Sequence, residues 1–293
     1  MAYINQAPRE FAKQSAAFKK AHPSLDSLPS DEYTMQPKYD GCHLIVHLGQ
    51  EGVPRAFSRT GEPVRSVDHI AAHCLQVFGR GWVIFGEAYA FGLSFPEISG
   101  NFRQHKPAEN LCFMAFDAVP SSAFDLGLYY PTPYRERLDA LRRAMKAVGT
   151  RAPDIIVTPD LPLDNPTGFA VTLKKQGGYD GAIVRRSDAG WQAGDSKNGE
   201  VIKVKPIESL DLRVRGWFLG KGKHANRAGG IYVEYDGVQT GVGTGFTDDE
   251  RSIIAQGTRD GAIAEVEFMG FTEDGALREP RFKGWRYDKH KAD

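Results

Sequence analysis

Apolar and polar residues alternate through CHLIVHL (42–48), which places Cys42, Leu44, Val46 and Leu48 on one face and predicts a strand. The spacing becomes helical in VRSVDHIAAHCLQVF (64–78), where Val67, Ile70, Ala71, Cys74, Val77 and Phe78 share one side. Two dense apolar stretches, WVIFGEAYA (82–90) and LCFMAFDAV (111–119), predict further strands. YRERLDALRRAMKAV (134–148) predicts a helix with Leu138, Leu141, Met145 and Val148 inward. YDGAIVRR (179–186) and VIKVKP (201–206) predict short strands, each beside a turn signal. The opening stretch predicts a short helix and a Pro/Ser-rich lead-in. Strands and helices mix without a regular βα period, so the class is α+β.

The pattern changes after Pro206. LDLRVRGWF, GIYVEY, GVQTGVG, AIAEVEFMG and PRFKGWR are short strands separated by Gly-rich turns. One helix intervenes, TDDERSIIAQG, where Thr247 and Glu250 form a capping-box pattern. Five strands with one helix suit a small antiparallel barrel of the OB-fold kind. The expected division is therefore 1–206 and 207–293.

With 293 residues the chain can bury a core in each of two domains. No apolar run approaches the ~18 residues of a membrane span. The N-terminus has no signal-peptide core, so a cytoplasmic protein of a phage or bacterial cell is expected. Cys42, Cys74 and Cys112 lie in apolar patterns and are expected to be buried free thiols. The formal net charge of zero argues against a protein that coats nucleic acid through bulk charge. A local exception runs from Arg213 to Arg227, where Arg213, Arg215, Lys221, Lys223 and Arg227 occur without an acidic residue. The stretch reads either as a solvated loop or as a basic groove.

Candidate chemistry centres on QPKYDGCHLI (36–45), where Lys38 heads the first alternating strand. A free lysine titrates near ~10.4, so a nucleophilic Lys38 needs burial or neighbouring cations. Lys203 and Lys205 alternate on VIKVKP and so point to one face; facing Lys38, they would disfavour its protonated form and stabilise a phosphate under attack. Gly41 allows a ligand to approach the backbone. Glu87 and Asp180, each beside a glycine, are candidate ligands for a divalent metal. Taken singly, each of these residues also reads as a turn, a strand end or a wet edge face; their order along the chain is the stronger signal.

That ordered set resembles the ATP-dependent DNA ligases of the covalent nucleotidyltransferase superfamily. KYDG (38–41) is similar to the nucleotide-attachment motif, SRTG (58–61) to the next, FGEAYAFG (85–92) to the third, and CFMAFDAV (112–119) to the aromatic strand after it. YDGAIVRR and VIKVKP resemble the fourth and fifth motifs. VGTGFTDDE (242–250) resembles a ligase OB segment, and LREPRFKGWRYDK (277–289) the Arg-x-Asp-Lys ending. The resemblance implies an adenylation domain with antiparallel sheets followed by an OB-fold β-barrel.

It also implies roles. Lys38 would carry AMP from ATP, with Mg2+ or Mn2+ held by Glu87 and Asp180. Lys203 and Lys205 would contact the α-phosphate, and the Gln36 backbone the adenine amino group. Phe116 and Ile183 would enclose the base, and Glu87 would bind the ribose. Arg59 would sit near the ribose and the nick 5′-phosphate. Arg286, Asp288 and Lys289 would orient pyrophosphate. The duplex would be gripped by Arg59, His43 and the 213–227 cations. The implied protein is a monomer of the compact type that lacks a large N-terminal DNA-binding domain, sealing nicked double-stranded DNA.

This sequence departs from the family pattern at two points: His43 stands where arginine is usual, and Asp180 where glutamate is usual. Two other readings stay open. One is an RNA-directed nucleotidyltransferase, either an mRNA guanylyltransferase or an RNA ligase. The other is a non-catalytic nucleic-acid-binding protein on the same scaffold.

Overall fold

A computed structural model describes residues 5–51, 53–206, 208–272 and 274–293. They form two compact units, Met1–Lys205 and Pro206–Asp293.

The first unit holds two five-stranded sheets. One sheet orders its strands Arg9–Glu10, Val201–Val204, Tyr179–Arg186, Tyr33–Tyr39 and Leu161–Pro162. The other orders Arg55–Ser58, Cys42–Leu48, Trp82–Tyr89, Cys112–Pro120 and Ile155–Val157. Pairing is mostly antiparallel; Ile155–Val157 joins Cys112–Pro120 in parallel, as Arg9–Glu10 joins Val201–Val204. The helices Asp68–Phe78 and Tyr134–Val148 bury Ile70, Ala71, Cys74, Leu138 and Leu141 in the core of the second sheet. The predicted alternation in Cys42–Leu48 understates the burial. Ile45 and His47 are buried as well as Leu44, Val46 and Leu48, because this strand is central and covered on both faces. Cys74 is buried, whereas Cys42 and Cys112 are only half-buried, a correction to the expectation for all three.

Two tight approaches shape the unit. A Cβ on Gly41 would come within 2.4 Å of the Ala88 carbonyl oxygen and 2.8 Å of Glu87 Cγ. The glycine therefore serves the packing of the Tyr39–Cys42 turn on the Glu87 strand. On that strand, a Cβ on Gly86 would sit 2.3 Å from the Phe113 ring, beside a register shift between Phe85 and Gly86.

The second unit is one antiparallel sheet ordered Val238–Val242, Ala228–Tyr235, Glu208–Leu219, Ile263–Phe268 and Arg281–Trp285. Its core gathers Leu212, Val214, Ile231, Val233, Val242, Val266 and Phe282. The helix Asp248–Ile254 starts at the expected capping box: Thr247 accepts from the Glu250 amide, and Glu250 accepts from the Thr247 amide at 2.7 Å. The unit is the expected OB-like antiparallel sheet, and no closed barrel forms among the described residues. The two edge strands approach through one parallel bridge, Thr244 to Arg281, with the Phe282 amide donating to the Thr244 carbonyl. No described helix is long and apolar enough to cross a membrane.

Candidate active site

Strand register brings the first sheet's candidates into one cleft. Gln36 and Lys38 are two apart on Tyr33–Tyr39 and so share a face. Ile183 is opposite Gln36 on one side and opposite Lys203 on the other. Glu10 in turn pairs with Lys203. Gly181 is opposite Lys38, but Tyr179 is opposite Tyr39, so Asp180 is the extra residue of a bulge. A bulge re-aims a side chain, and here it points the Asp180 carboxylate at the lysine.

The cleft has a volume of about 1070 Å³ and is lined by Lys38, His43, Arg59, Glu87, Phe116, Asp180, Ile183, Lys203 and Lys205, among others. Lys38 Nζ donates to Asp180 Oδ2 at 2.7 Å, and Lys205 Nζ lies 3.0 Å from the same oxygen. Lys38 and Lys205 therefore meet through a shared acidic partner: one carboxylate, Asp180, stands between the two cations. Burial pushes the Asp180 carboxyl up, but Lys38 and Lys205 outweigh it, and the net direction is down. Lys203 faces the same cleft but pairs with Glu10, at 3.5 Å.

His43 and Glu87 are cross-strand neighbours. Asn5 Nδ2 lies 2.7 Å from His43 Nε2. An amide nitrogen only donates, so Nε2 accepts and the imidazole proton sits on Nδ1, which is 3.9 Å from Glu87 Oε2. Burial first, then the charges of Arg59, Arg185 and Lys38, push the His43 pKa down to about 4. Burial raises Glu87 to about 8, against the opposing pull of Lys38. At neutral pH the histidine is thus uncharged and the carboxyl is mostly protonated.

A buried polar network joins the two sheets beneath the cleft. Asp117 accepts two hydrogen bonds from Arg137, at 2.7 and 2.9 Å, with both side chains almost fully buried. Arg185 Nη1 lies 3.7 Å from Asp117. Its guanidinium lies 4.8 Å from the Phe116 ring centroid and 4.7 Å from that of Tyr134. Arg185 donates to the Gln36 side chain, which donates to the Tyr134 hydroxyl at 2.7 Å. Phe116 thus has a cation against its ring while it lines the cleft.

Sequence reasoning missed three participants. Arg185 had a signal: it is two residues beyond Ile183 and therefore on the same strand face. Asn5 and Glu10 had none: Asn5 lies outside any strand, and the two-residue strand Arg9–Glu10 carries no alternation.

The remaining candidates lie in the second unit. Arg286 Nη1 donates to both oxygens of buried Asp211, at 3.1 and 3.0 Å, and Lys289 also pairs with that carboxylate. Asp288 accepts from Arg286, which holds its carboxyl at about 2. Within their own unit these cations are engaged by acidic partners. Of the basic stretch, Arg213 donates to the Gly261 and His290 carbonyls, Arg215 to Glu234, and Arg227 pairs with Asp248 at 3.1 Å. Lys221 and Lys223 sit exposed on the turn between two strands.

The described residues contain no group of three or more side chains able to hold a metal. With Asp180 and Glu87 alone, the cleft fits a hard cation only if phosphate oxygens and water complete its shell.

A lysine and a carboxylate at the floor of a two-sheet cleft, followed by an OB-like unit, define the class of adenylation-domain proteins. The chain belongs to the ATP-dependent DNA ligase family: the family described as ATP dependent DNA ligase domain matches residues 12–205, and the DNA ligase OB-like domain matches residues 219–286. DNA ligase 2 of Haloquadratum walsbyi is 26% identical over an alignment of 269 residues that covers 83% of this chain and 42% of that protein. The chain thus spans less than half the length of that curated relative. The solved chain named Pmar-Lig_PreS3 superposes with a TM-score of 0.80 at 19% identity, over 98% of this chain and 68% of that one. A Lig E DNA ligase structure, from work on DNA binding with a minimal scaffold, gives 0.72 at 22% identity, over 98% and 100%. At these identities the two structures show the fold.

Proposed function

We propose that this chain is an ATP-dependent ligase acting on nicked duplex DNA, with Lys38 as the nucleophile. The observation that carries the reading is the Lys38–Asp180–Lys205 cluster on the cleft floor. ATP is the substrate that the cleft's size and charge suit. To react, Lys38 must give up a proton and leave Asp180. Its Nζ lone pair then forms a bond to the α-phosphorus as the bond to the β-phosphate oxygen breaks and pyrophosphate departs. Lys203 and Lys205 balance charge on the α-phosphate. The phosphoramidate next passes AMP to a DNA 5′-phosphate, returning the electron pair to Nζ. A 3′-hydroxyl then attacks that phosphorus and AMP leaves. Phe116 and Ile183 enclose the base; Glu87, mostly protonated, offers the ribose a donor as well as an acceptor. A divalent cation held by Asp180, and by Glu87 once it gives up its proton, would neutralise phosphate charge.

The test is intact mass after incubation with ATP and magnesium, alongside sealing of a nicked duplex. A gain of one AMP that Lys38→Ala abolishes, together with sealing, supports the reading. Attachment only from GTP would transfer the chain to the capping-type guanylyltransferases. Sealing confined to RNA ends would assign an RNA ligase, and no adduct at all would favour a non-catalytic binding protein.

A further inference from the structure

Seven cations line the cleft, and they fall into two groups. Lys38, Lys203, Lys205 and Arg185 each have a carboxylate partner. Arg59, Arg65 and Arg103 are exposed, and among the described residues none of the three forms an ion pair or a hydrogen bond through its guanidinium. The first group is anchored to the sheet that carries Lys38, and the second lies elsewhere along the wall.

Two buried hydrogen bonds fix where Arg65 and Arg103 stand. Ser66 Oγ donates to the Phe102 carbonyl at 2.8 Å, and the Ala108 amide donates to the Ser66 carbonyl at 2.8 Å. Ser66 and Phe102 are buried, so the turn Arg65–Val67 is pinned to the end of the helix Phe95–Arg103. Each arginine is the immediate neighbour of one pinned residue, and both reach the same cleft. The Arg103 charge is felt at Cys42, and the Arg59 charge at His43, the next residue along that strand. Glu62, on the turn after Arg59, and Asp40, beside Gly41, are acidic groups on the same wall; three positive charges against two leave it net positive. His43, uncharged at neutral pH, contributes nothing to it.

We propose that Arg65 and Arg103, together with Arg59, form an outer anion subsite that takes a backbone phosphate of the bound DNA strand. The identity of the ligand rests on the ligase reading; the unpaired cations and their pinned positions do not. A volume at the top of the ~300–1,000 Å³ range of single-ligand pockets leaves room for such a phosphate beside a nucleotide. The subsite positions the strand without reading its sequence.

The experiment measures nicked-duplex affinity between 50 and 200 mM salt for the full chain and for Arg65→Gln, Arg103→Gln and Arg103→Lys. Losing one phosphate contact lowers the log–log salt slope by about 0.9, so the affinity deficit of each glutamine variant should shrink about threefold across that range. Arg103→Lys keeps the charge and should keep the slope. Arg143→Gln, exposed on the helix Tyr134–Val148, should leave the slope at the wild-type value. Wild-type slopes in both Arg65→Gln and Arg103→Gln, or an equal loss in Arg143→Gln, would overturn the proposal. So would an effect confined to the ATP concentration needed for AMP attachment, which would assign the rim to the nucleotide. Absence of AMP attachment by the wild-type chain defeats the ligase reading instead, and the slope comparison stands independently of it.

Discussion

Replacing Glu87 with glutamine isolates the most displaced carboxyl of the cleft. Its pKa stands near 8 against an ordinary 4.5, chiefly through burial. The unfolded chain releases this proton near the ordinary value, whereas the native chain keeps it until about pH 8. Between those values the native state binds more protons, so its stability falls as pH rises, by about 1.36 kcal/mol per pH unit at full effect. From pH 5 to 9 the sum is about 4 kcal/mol. The side chain is 20% exposed, so water screening reduces this to roughly 2–4 kcal/mol. Glutamine stands in for the protonated carboxyl and has no such slope. Urea unfolding of both proteins at each pH unit from 5 to 9 gives the difference directly, because all other titrations are shared. The variant should match the wild type at pH 5 and exceed it progressively to pH 8, with the gap levelling off above. A difference constant within about 0.5 kcal/mol, or a Glu87 carboxyl carbon that titrates near its ordinary pKa by NMR, would refute the reasoning.

Two further outcomes follow from buried charge. Asp117→Asn leaves Arg137 and Arg185 buried without their carboxylate and should cost about 3–5 kcal/mol in urea unfolding. Asp211→Asn removes the shared partner of Arg286 and Lys289, and amide exchange across 286–293 should rise about tenfold.

The strands that carry chemistry were legible because period-two alternation and the ordered motifs coincide. Lys38, Ile183, Lys203 and Lys205 line one cleft as a direct result of register. What alternation cannot show is a partner that arrives from a distant element. Asp117 sits in an apolar run and signals a buried charge, yet nothing local names Arg137 or Arg185 as its counter-ions. The helices Phe95–Arg103 and Pro166–Gln176 also escaped notice. The first begins at a Ser94/Glu97 capping box but carries few apolar positions, and the second begins with Pro166 and includes Gly168. The bulge at Asp180 was likewise invisible: a register shift depends on both strands, and only one of them contains the signal.

The first residues described form part of the cleft wall. Asn5 meets His43, and Arg9–Glu10 completes the edge beside Lys203. A label attached at residues 5–8 would therefore stand in the cleft wall and compete with incoming substrate. Handles for immobilisation or labelling belong on the exposed face of the Tyr134–Val148 helix instead.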